Sequence, residues 1–447
     1  MKPKLSPREA KQTQREFFQT TQPLLSDFID MKHPLVKMAD SLQWDQFDQY
    51  WQSQFSTAGG PKANSARRVA GMLMLKHMDK LSDEALVAAW VSNPYYQYFC
   101  GETHFQHRIP VDPATLGRWR KRIGEEGFEW LISDVLGSAL RIGAVQPESL
   151  AHVCVDSTVM EKNITHPTDS KLWEALRLKI VGFMRGHRLS IRRSYNERGP
   201  RMAQQIARYA HARQFKRMRK LLKEQRTMIM RLVRELQRQW HTLNPLAKTN
   251  GYCLIDQADR LRLPNRREKL YSLHEPKVDC ISKGKAHKRY EFGTKVSVAT
   301  TQTEGFVVGI RSYGQNPYDG HTLDDQLQQV ETISGTAVKT VAVDLGYRSK
   351  HHLTTADVIH RGRKLDAEQK QRLRRRNAIE AIIGHMKQDD WLGRCYLKGP
   401  RGDAINALLC GIGQNLRFLR NYWLRRLFAW IFASCREILS PKRQNFV

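Results

Sequence analysis

Apolar positions in the first third of the chain fall at helical spacing. Within residues 65–81, Val69, Met72, Leu73 and Leu75 mark a helix. Ser82, followed by Asp83 and Glu84, supplies an N-cap and an acidic first turn for a second helix. Asp112 and Pro113 open a third, which carries Arg118, Trp119, Arg120, Lys121 and Arg122. About twenty residues separate this basic helix from the one before it, whereas a helix-turn-helix needs a turn of about three or four. A surface helix with a buried Trp119 fits at least as well as a groove-binding one. Residues 1–50 are polar with little period, a flexible lead followed by a short helix.

After Gly143 the period shortens toward two. Residues 150–159 (LAHVCVDSTV) form a β-rich run ending on polar residues. Residues 292–300 alternate, Gly305 marks a turn, and residues 306–311 return as the second strand of a hairpin. A helix is expected over 322–333, opened by the loop 316–320. A buried strand over 338–343 then ends at Asp344, and a short strand near Val358 follows. Residues 367–388 read as a helix, and 404–434 as one or two amphipathic helices.

Charge changes this picture. The 447 residues hold 74 Lys and Arg against 44 Asp and Glu, a net +30, with 40% hydrophobic residues and ten Trp. That apolar content requires a folded chain, and the length allows two to four domains. Residues 171–240 alone hold 20 basic and 4 acidic side chains, and no acid lies between Glu197 and Glu224. The segment 201–240 lacks Gly and Pro and keeps helical spacing through Ile206, Tyr209, Leu221, Leu222, Ile229, Leu232, Val233 and Leu236. Long basic amphipathic helices follow. Their dense run Lys216, Arg217, Arg219 and Lys220 makes a phosphate-contacting arm, with a merely solvated hairpin as the alternative. Seven scattered Cys without a CxxC pair argue against a disulfide framework or a Cys-based zinc site. His351-His352, and His104 with His107, lack partners at ligand spacing. The apolar stretch 423–434 is broken by Arg425 and Arg426 and is too short to span a bilayer. The start has no apolar signal region, so the expected compartment is the cytoplasm. The Asn163-Ile164-Thr165 sequon carries no weight there.

With the basic block set aside, the order is strand, hairpin, helix, strand, helix. That order fits an RNase H-like mixed sheet, an α/β core in which the first strand and the later parallel one run side by side. Asp156, near the end of the first strand, and Asp344, ending the later one, would then converge across 188 residues of sequence. On the 367–388 helix, taking about 100° per residue, Glu380 and Lys387 fall within about 40° of Arg376, while Ile379, Ile382, Ile383 and Met386 form a separate stripe. Glu380 then projects from the edge of the docked face toward the strand ends. Three such carboxylates suit Mg²⁺ or Mn²⁺, two ions per site, for phosphoryl transfer. Taken singly, each acid has a plainer reading: a turn or cap residue for the two Asp, and an i,i+4 pair with Arg376 for Glu380.

At these residues the sequence resembles the DDE transposases of bacterial insertion sequences, in the IS-five family of the IS-four-like group. The matching stretches are VDSTVMEKNITHPTDSKL at 155–172, YSLHEPKVDCISKGKAHKRYEFGTKVSVAT at 271–300, NPYDGHTL at 316–323, VDLGYRS at 343–349 and RRRNAIEAIIGHMK at 374–387. RYAHARQFKR at 208–217 and NPYYQYFCGETHFQH at 93–107 also match. The resemblance covers about residues 30–420. It implies that Asp156, Asp344 and Glu380 bind the metal, and that Arg376 and Lys387 of the Arg-x3-Glu-x6-Lys signature touch DNA phosphates. Two positions depart from the pattern: Leu373 replaces the signature Tyr, and Leu345 replaces a basic residue after the second Asp.

The implied organisation is a helical N-terminal domain (1–145) for terminal inverted repeats, a catalytic core (146–400) holding the basic insertion (165–270), and C-terminal helices (401–447). The implied partners are double-stranded DNA, as element ends and as target, and a second copy of the chain on that DNA, associated with the nucleoid. The implied reaction is hydrolysis at the element ends, then attack of the freed 3′-OH on target DNA. Asp319 and His321 lie near the start of a helix, and Asp319 is expected as a helix cap, with a ligand role as the alternative. Lys283, Lys285, His287 and Lys288 form a basic loop that serves as a DNA contact or a surface turn. Two rivals stay open: a DNA-binding derivative that no longer cuts, and a related nuclease that cuts without joining.

Overall fold

The computed structural model describes residues 23–52, 65–262, 269–282, 289–349 and 352–439. The basic loop of Lys283, Lys285, His287 and Lys288 lies outside these residues, as does His351. The chain opens with helices: α1 Leu25–Phe28, α2 Pro34–Ser41, α3 Trp44–Gln52, α4 Ala66–Met78, α5 Asp83–Ser92, α6 Pro94–Phe99 and α7 Pro113–Arg141. Capping side chains set their starts. Ser65 accepts from the Arg68 amide, Ser82 from Ala85, Asn93 from Tyr95 and Tyr96, and Asp112 from Ala114. α7 runs well past the expected basic turn, bending at Gly124, whose φ of 69° a residue with a side chain rarely adopts. Trp119 and Arg120 are buried, and Arg120 makes a two-pronged pair with Asp83 at 2.8 and 2.6 Å. Arg120 of that basic helix therefore serves to hold α7 against α5.

A seven-stranded mixed sheet follows: β1 His152–Lys162, β2 Asp279–Ser282, β3 Tyr290–Thr301, β4 Val307–Tyr313, β5 Thr340–Ala342, β6 Asp357–Ile359 and β7 Arg394–Cys395. β1 is central and pairs antiparallel with β3 along its length, Asp156 facing Val298. Its other edge carries two short parallel partners, β5 at residues 152–154 and β7 at 161–162. Between them residues 155–160 have no strand neighbour on that edge among the described residues. β2 and β4 take opposite ends of the far edge of β3, and β6 extends the sheet beyond β5. β2 and β7, four and two residues long, fall below the length at which alternation can be recognised.

Between β1 and β2 the chain forms α8 Asp169–Gly186, α9 Arg198–His211, α10 Phe215–Arg238 and α11 Pro245–Arg262. This unit has its own core, in which Leu172, Trp173, Leu176 and Ile180 of α8 meet Ile229, Leu232, Val233 and Leu236 of α10. The remaining helices are α12 Leu323–Ser334, α13 Ala367–Arg375, α14 Asn377–Gln388 and α15 Gly399–Leu439. The single helix expected over 367–388 is interrupted at Arg376, which keeps helical dihedrals (φ −53°, ψ −33°). One core joins the N-terminal helices, the sheet, α14 and α15: Leu73 and Trp90, Val155 and Val298, Ile379 and Leu409 belong to the same cluster. The buried side chain of Asn415 of α15 accepts from the Val307 amide and donates to the Val307 carbonyl, both at 2.8 Å, and so ties α15 to the start of β4.

Candidate functional site

Register brings the two aspartates together. β5 pairs in parallel with residues 152–154 and stops at Ala342, so Asp344, two residues on, comes level with Asp156. Asp156 therefore sits mid-strand in β1, not near its end as expected, and β5 is short enough to leave that level of the edge open. α14 supplies the third acid. Its buried stripe of Ile379, Ile382, Ile383 and Met386 docks on the core, and Ile382 packs over the hairpin turn at Gly305. Glu380 consequently stands on the flank of that contact.

The guanidinium of Arg376 occupies the middle of the three acids. Its nitrogens lie 3.4 Å from Asp156 Oδ2, 4.0 Å from Asp344 Oδ2 and 3.5 Å from Glu380 Oε1. Exposure grades outward: the side chains of Arg376 and Asp156 are 11% and 15% exposed, those of Asp344 and Glu380 43% and 65%. Asp156 accepts from the Ser157 amide and Asp344 from the Gly346 amide, each at 2.8 Å, which fixes one oxygen of each and leaves the other toward Arg376. Carboxylate oxygens are hard donors of the kind Mg²⁺ and Mn²⁺ take. The three acids do not form a tight single-ion cage, since Arg376 stands between them.

Beneath the acids lie groups that sequence reasoning did not assemble. Tyr347 is fully buried; burial first, then the charges of Asp319, Asp156 and Asp344, push its phenol well above its ordinary pKa, against a hydrogen bond with Ser297. Lys295 of β3 is buried and pairs with Asp319 Oδ1 at 2.9 Å. Asp319 does not cap α12 with its side chain: the following turn is closed by its backbone carbonyl, which accepts from Thr322 N and Oγ1. The expected capping role is therefore corrected.

Among the described residues, the His, Cys, Asp and Glu side chains whose ligand atoms all lie within 4.8 Å of one another are His77, Asp390 and Cys410. Nδ1 of His77 is 2.9 Å from Asp390 Oδ1, and Arg417 is 3.5 Å from Asp390 Oδ2. Arg417 already neutralises Asp390, and burial lowers the pKa of His77, so the cluster works as a polar joint. It fastens the end of α14 to α4 and α15.

Comparison with known proteins bears on these features. Residues 23–122 match the family described as Transposase domain (DUF772). A Rhizobium meliloti protein, "Uncharacterized protein ORF8 in nfe locus", is 42% identical over 191 residues, 43% of this chain and 92% of that protein. The chain belongs to a transposase family. No solved structure matches it. The matched domain covers α1 to α6 and the start of α7, so in this transposase-family chain it packs directly on the core that supports the acids.

The remaining basic candidates sit apart from the acids. Lys387 lies half-buried in the last turn of α14, seven residues beyond Glu380. Lys216, Arg217, Arg219 and Lys220 are all exposed on the first turns of α10, before its buried stripe begins at Gln225. With Arg208 and Arg213 they form the tip of the α9–α10 hairpin, and Arg217 lies over the Tyr209 ring. No helix of the described residues is long and apolar enough to cross a membrane.

Proposed function

We propose that this transposase-family chain is a DDE transposase of the IS-five kind, with an RNase H-like catalytic core and Asp156, Asp344 and Glu380 as its metal-binding acids. One observation carries the reading: three carboxylates from β1, the turn after β5 and α14 all reach a single guanidinium at the open edge of a mixed sheet. Nothing in plain DNA binding calls for three converging acids. Mg²⁺ or Mn²⁺, two ions per site, would supply charge neutralisation at the phosphodiester and activation of the attacking oxygen.

The chain's own groups do the rest. Asp156, Asp344 and Glu380 would hold the cations, and Arg376 and Lys387 would bind DNA phosphate beside them. Water breaks the P–O3′ bond at the element end and leaves a 3′-OH on the element. That hydroxyl then attacks a target phosphorus, forming one phosphodiester and releasing a target 3′-OH. The hairpin tip at Lys216, Arg217, Arg219 and Lys220 contacts the duplex backbone. The N-terminal helices read the terminal inverted repeats, two copies act together on paired ends, and the work is done on the nucleoid in the cytoplasm.

The test separates cutting from joining. Purified protein is given a duplex that ends in a ready-made element 3′-OH, together with a supercoiled plasmid and Mg²⁺. The reading predicts duplex covalently joined to plasmid. Plasmid nicking without joined product would favour the nuclease, and salt-sensitive binding with neither product would favour the non-cutting derivative.

A further inference from the structure

A cleft of about 1020 Å³ opens at the edge of the sheet where β2 and β4 lie. β2 pairs with β3 through Gly293 and β4 pairs with it from Lys295, so Thr294 faces a gap between the two edge strands. Thr294 lines the cleft, as do Gln315 and Asn316 of the loop beyond β4. Asp319, further along that loop, borders Gly346 together with Asp344. A Cβ built on that glycine would lie 3.4 Å from Asp319 Oδ2 and 3.0 Å from Asp344 Oδ1. The chain from Asn316 to Asp319 spans at most about 11 Å. One short loop thus has the cleft at its start and the acids at its end.

The lining combines an excess of positive charge with an aromatic ring. Arg260 lies in the last turn of α11, Lys277 just before β2 and Arg401 in the first turn of α15, so three separate segments bring a cation to one place. Lys269 is a fourth, paired with Asp169 at 3.2 Å. Of the acids, Asp403 is taken up by Lys162 at 2.6 Å, and Asp279 accepts the Gln315 and Asn316 amides while burial raises its pKa. Glu125 is the remaining acid of the lining. Half-buried Tyr271 supplies the ring, its centroid 5.4 Å from that of Phe292. Cations beside an aromatic platform are how single-stranded nucleic acid is held: the backbone follows the charge and a base stacks on the ring. Volume decides against a duplex. A cube about 12 Å on a side, the width of the major groove alone, already exceeds the cleft. The cleft instead matches the upper end of small-ligand sites, about 300–1,000 Å³, which is room for a short run of nucleotides.

We propose that this cleft is a subsite for single-stranded DNA, in which Tyr271 stacks a base and Arg260, Lys277 and Arg401 bind phosphates. The inference rests on the three-acid reading for its place beside the cut, and extends it from the scissile bond to the strand leading away from it. The hairpin tip at Lys216, Arg217, Arg219 and Lys220 then serves the duplex, and the cleft serves the unpaired strand. Binding in the cleft needs no metal.

The test is fluorescence anisotropy of the full chain in EDTA, with a short single-stranded oligodeoxynucleotide and with the duplex of the same sequence. Tyr271→Leu should weaken single-strand binding by about tenfold, the loss of one base stack, and leave duplex binding within about twofold. Tyr271→Phe keeps the ring and should bind as the parent does. Lys277 is exposed, so Lys277→Gln leaves the fold intact. It should lower the slope of log affinity against log salt by about 0.7 for the single strand alone. A strand carrying iododeoxyuridine should crosslink to Tyr271 under ultraviolet light. Equal weakening of strand and duplex, a single-strand slope unchanged in Lys277→Gln, or crosslinks confined to the hairpin tip would overturn the proposal. The two levels separate cleanly, because none of these measurements involves metal. Cutting that depends on Asp344 without any of these effects refutes only the cleft, whereas these effects beside cutting that survives Asp344→Ala refute only the three-acid reading.

Discussion

Replacing Arg376 by Ala should destabilise the protein in the absence of metal and should be repaired by metal. The guanidinium approaches three carboxylates at 3.4, 3.5 and 4.0 Å. At an effective dielectric of 20, each such pair is worth about 4–5 kcal/mol of raw Coulomb energy. Most of that is offset by desolvation or lost to solvent. Asp344 and Glu380, at 43% and 65% exposure, rank with surface pairs at about 0.2–1 kcal/mol each. Asp156, at 15%, is close to a buried partner, and removing the cation beside such a group costs about 3–5 kcal/mol in full burial. Allowing for its remaining exposure, the variant should lose about 3 kcal/mol in total. At about 1 °C per kcal/mol for a chain of this size, Tm in EDTA should fall by roughly 3 °C. Added Mg²⁺ replaces the missing positive charge, so the variant should gain more Tm from it than the parent does. Thermal unfolding of both proteins in EDTA and in Mg²⁺ reads the effect. An unchanged Tm in EDTA, or the same Mg²⁺ gain in both proteins, would refute the balance of charge described for this site.

Asn415→Ala should cost about 2–4 kcal/mol in urea unfolding, because it strands the buried amide and carbonyl of Val307. Replacing Lys216, Arg217, Arg219 and Lys220 together by Gln should lower the slope of log affinity against log salt for duplex DNA by roughly 3–4, with the fold unchanged by circular dichroism. Burial would raise the pKa of Asp83, but Arg120 and Lys76 overcome it and hold the carboxyl at about 2. A depressed carboxyl stabilises the fold above its unfolded pKa of 3.8 and loses that contribution as pH falls toward 2. Arg120→Ala should therefore move the midpoint of acid unfolding to higher pH, and an unmoved midpoint would show that this pair does not govern it.

Much of the site's geometry was legible because it depends on period and order. Alternation located β3, the turn at Gly305 placed β4 and an apolar run marked β5, and the order strand, hairpin, helix, strand implied that β1 and β5 lie in parallel. That neighbourhood alone carries Asp344 to the level of Asp156. The helical angle likewise separated Glu380 from the stripe of Ile379, Ile382, Ile383 and Met386, which is buried. What escaped depends on contacts between distant residues. Asp319 has the local appearance of a cap, and only the fold shows Lys295, 24 residues away, drawing its carboxylate toward the acids. The joint between His77 and Asp390 links residues 313 apart and leaves no trace in either neighbourhood. Arg120 looked like one more cation on a basic helix until Asp83 claimed it. β2 and β7 are too short for any periodic signal, and the extension of α7 past Gly124 relies on a bend that Gly permits but does not announce.

The central claim is that Asp156, Asp344 and Glu380 form one metal-dependent DNA-cutting centre. Its most direct test is a labelled duplex carrying an end of the chain's own element, incubated with the protein in Mg²⁺ or Mn²⁺ beside Asp344→Ala. The account predicts nicking at the element boundary that requires the metal and disappears in the variant. Cutting that survives Asp344→Ala would contradict it and place the active site elsewhere in the fold.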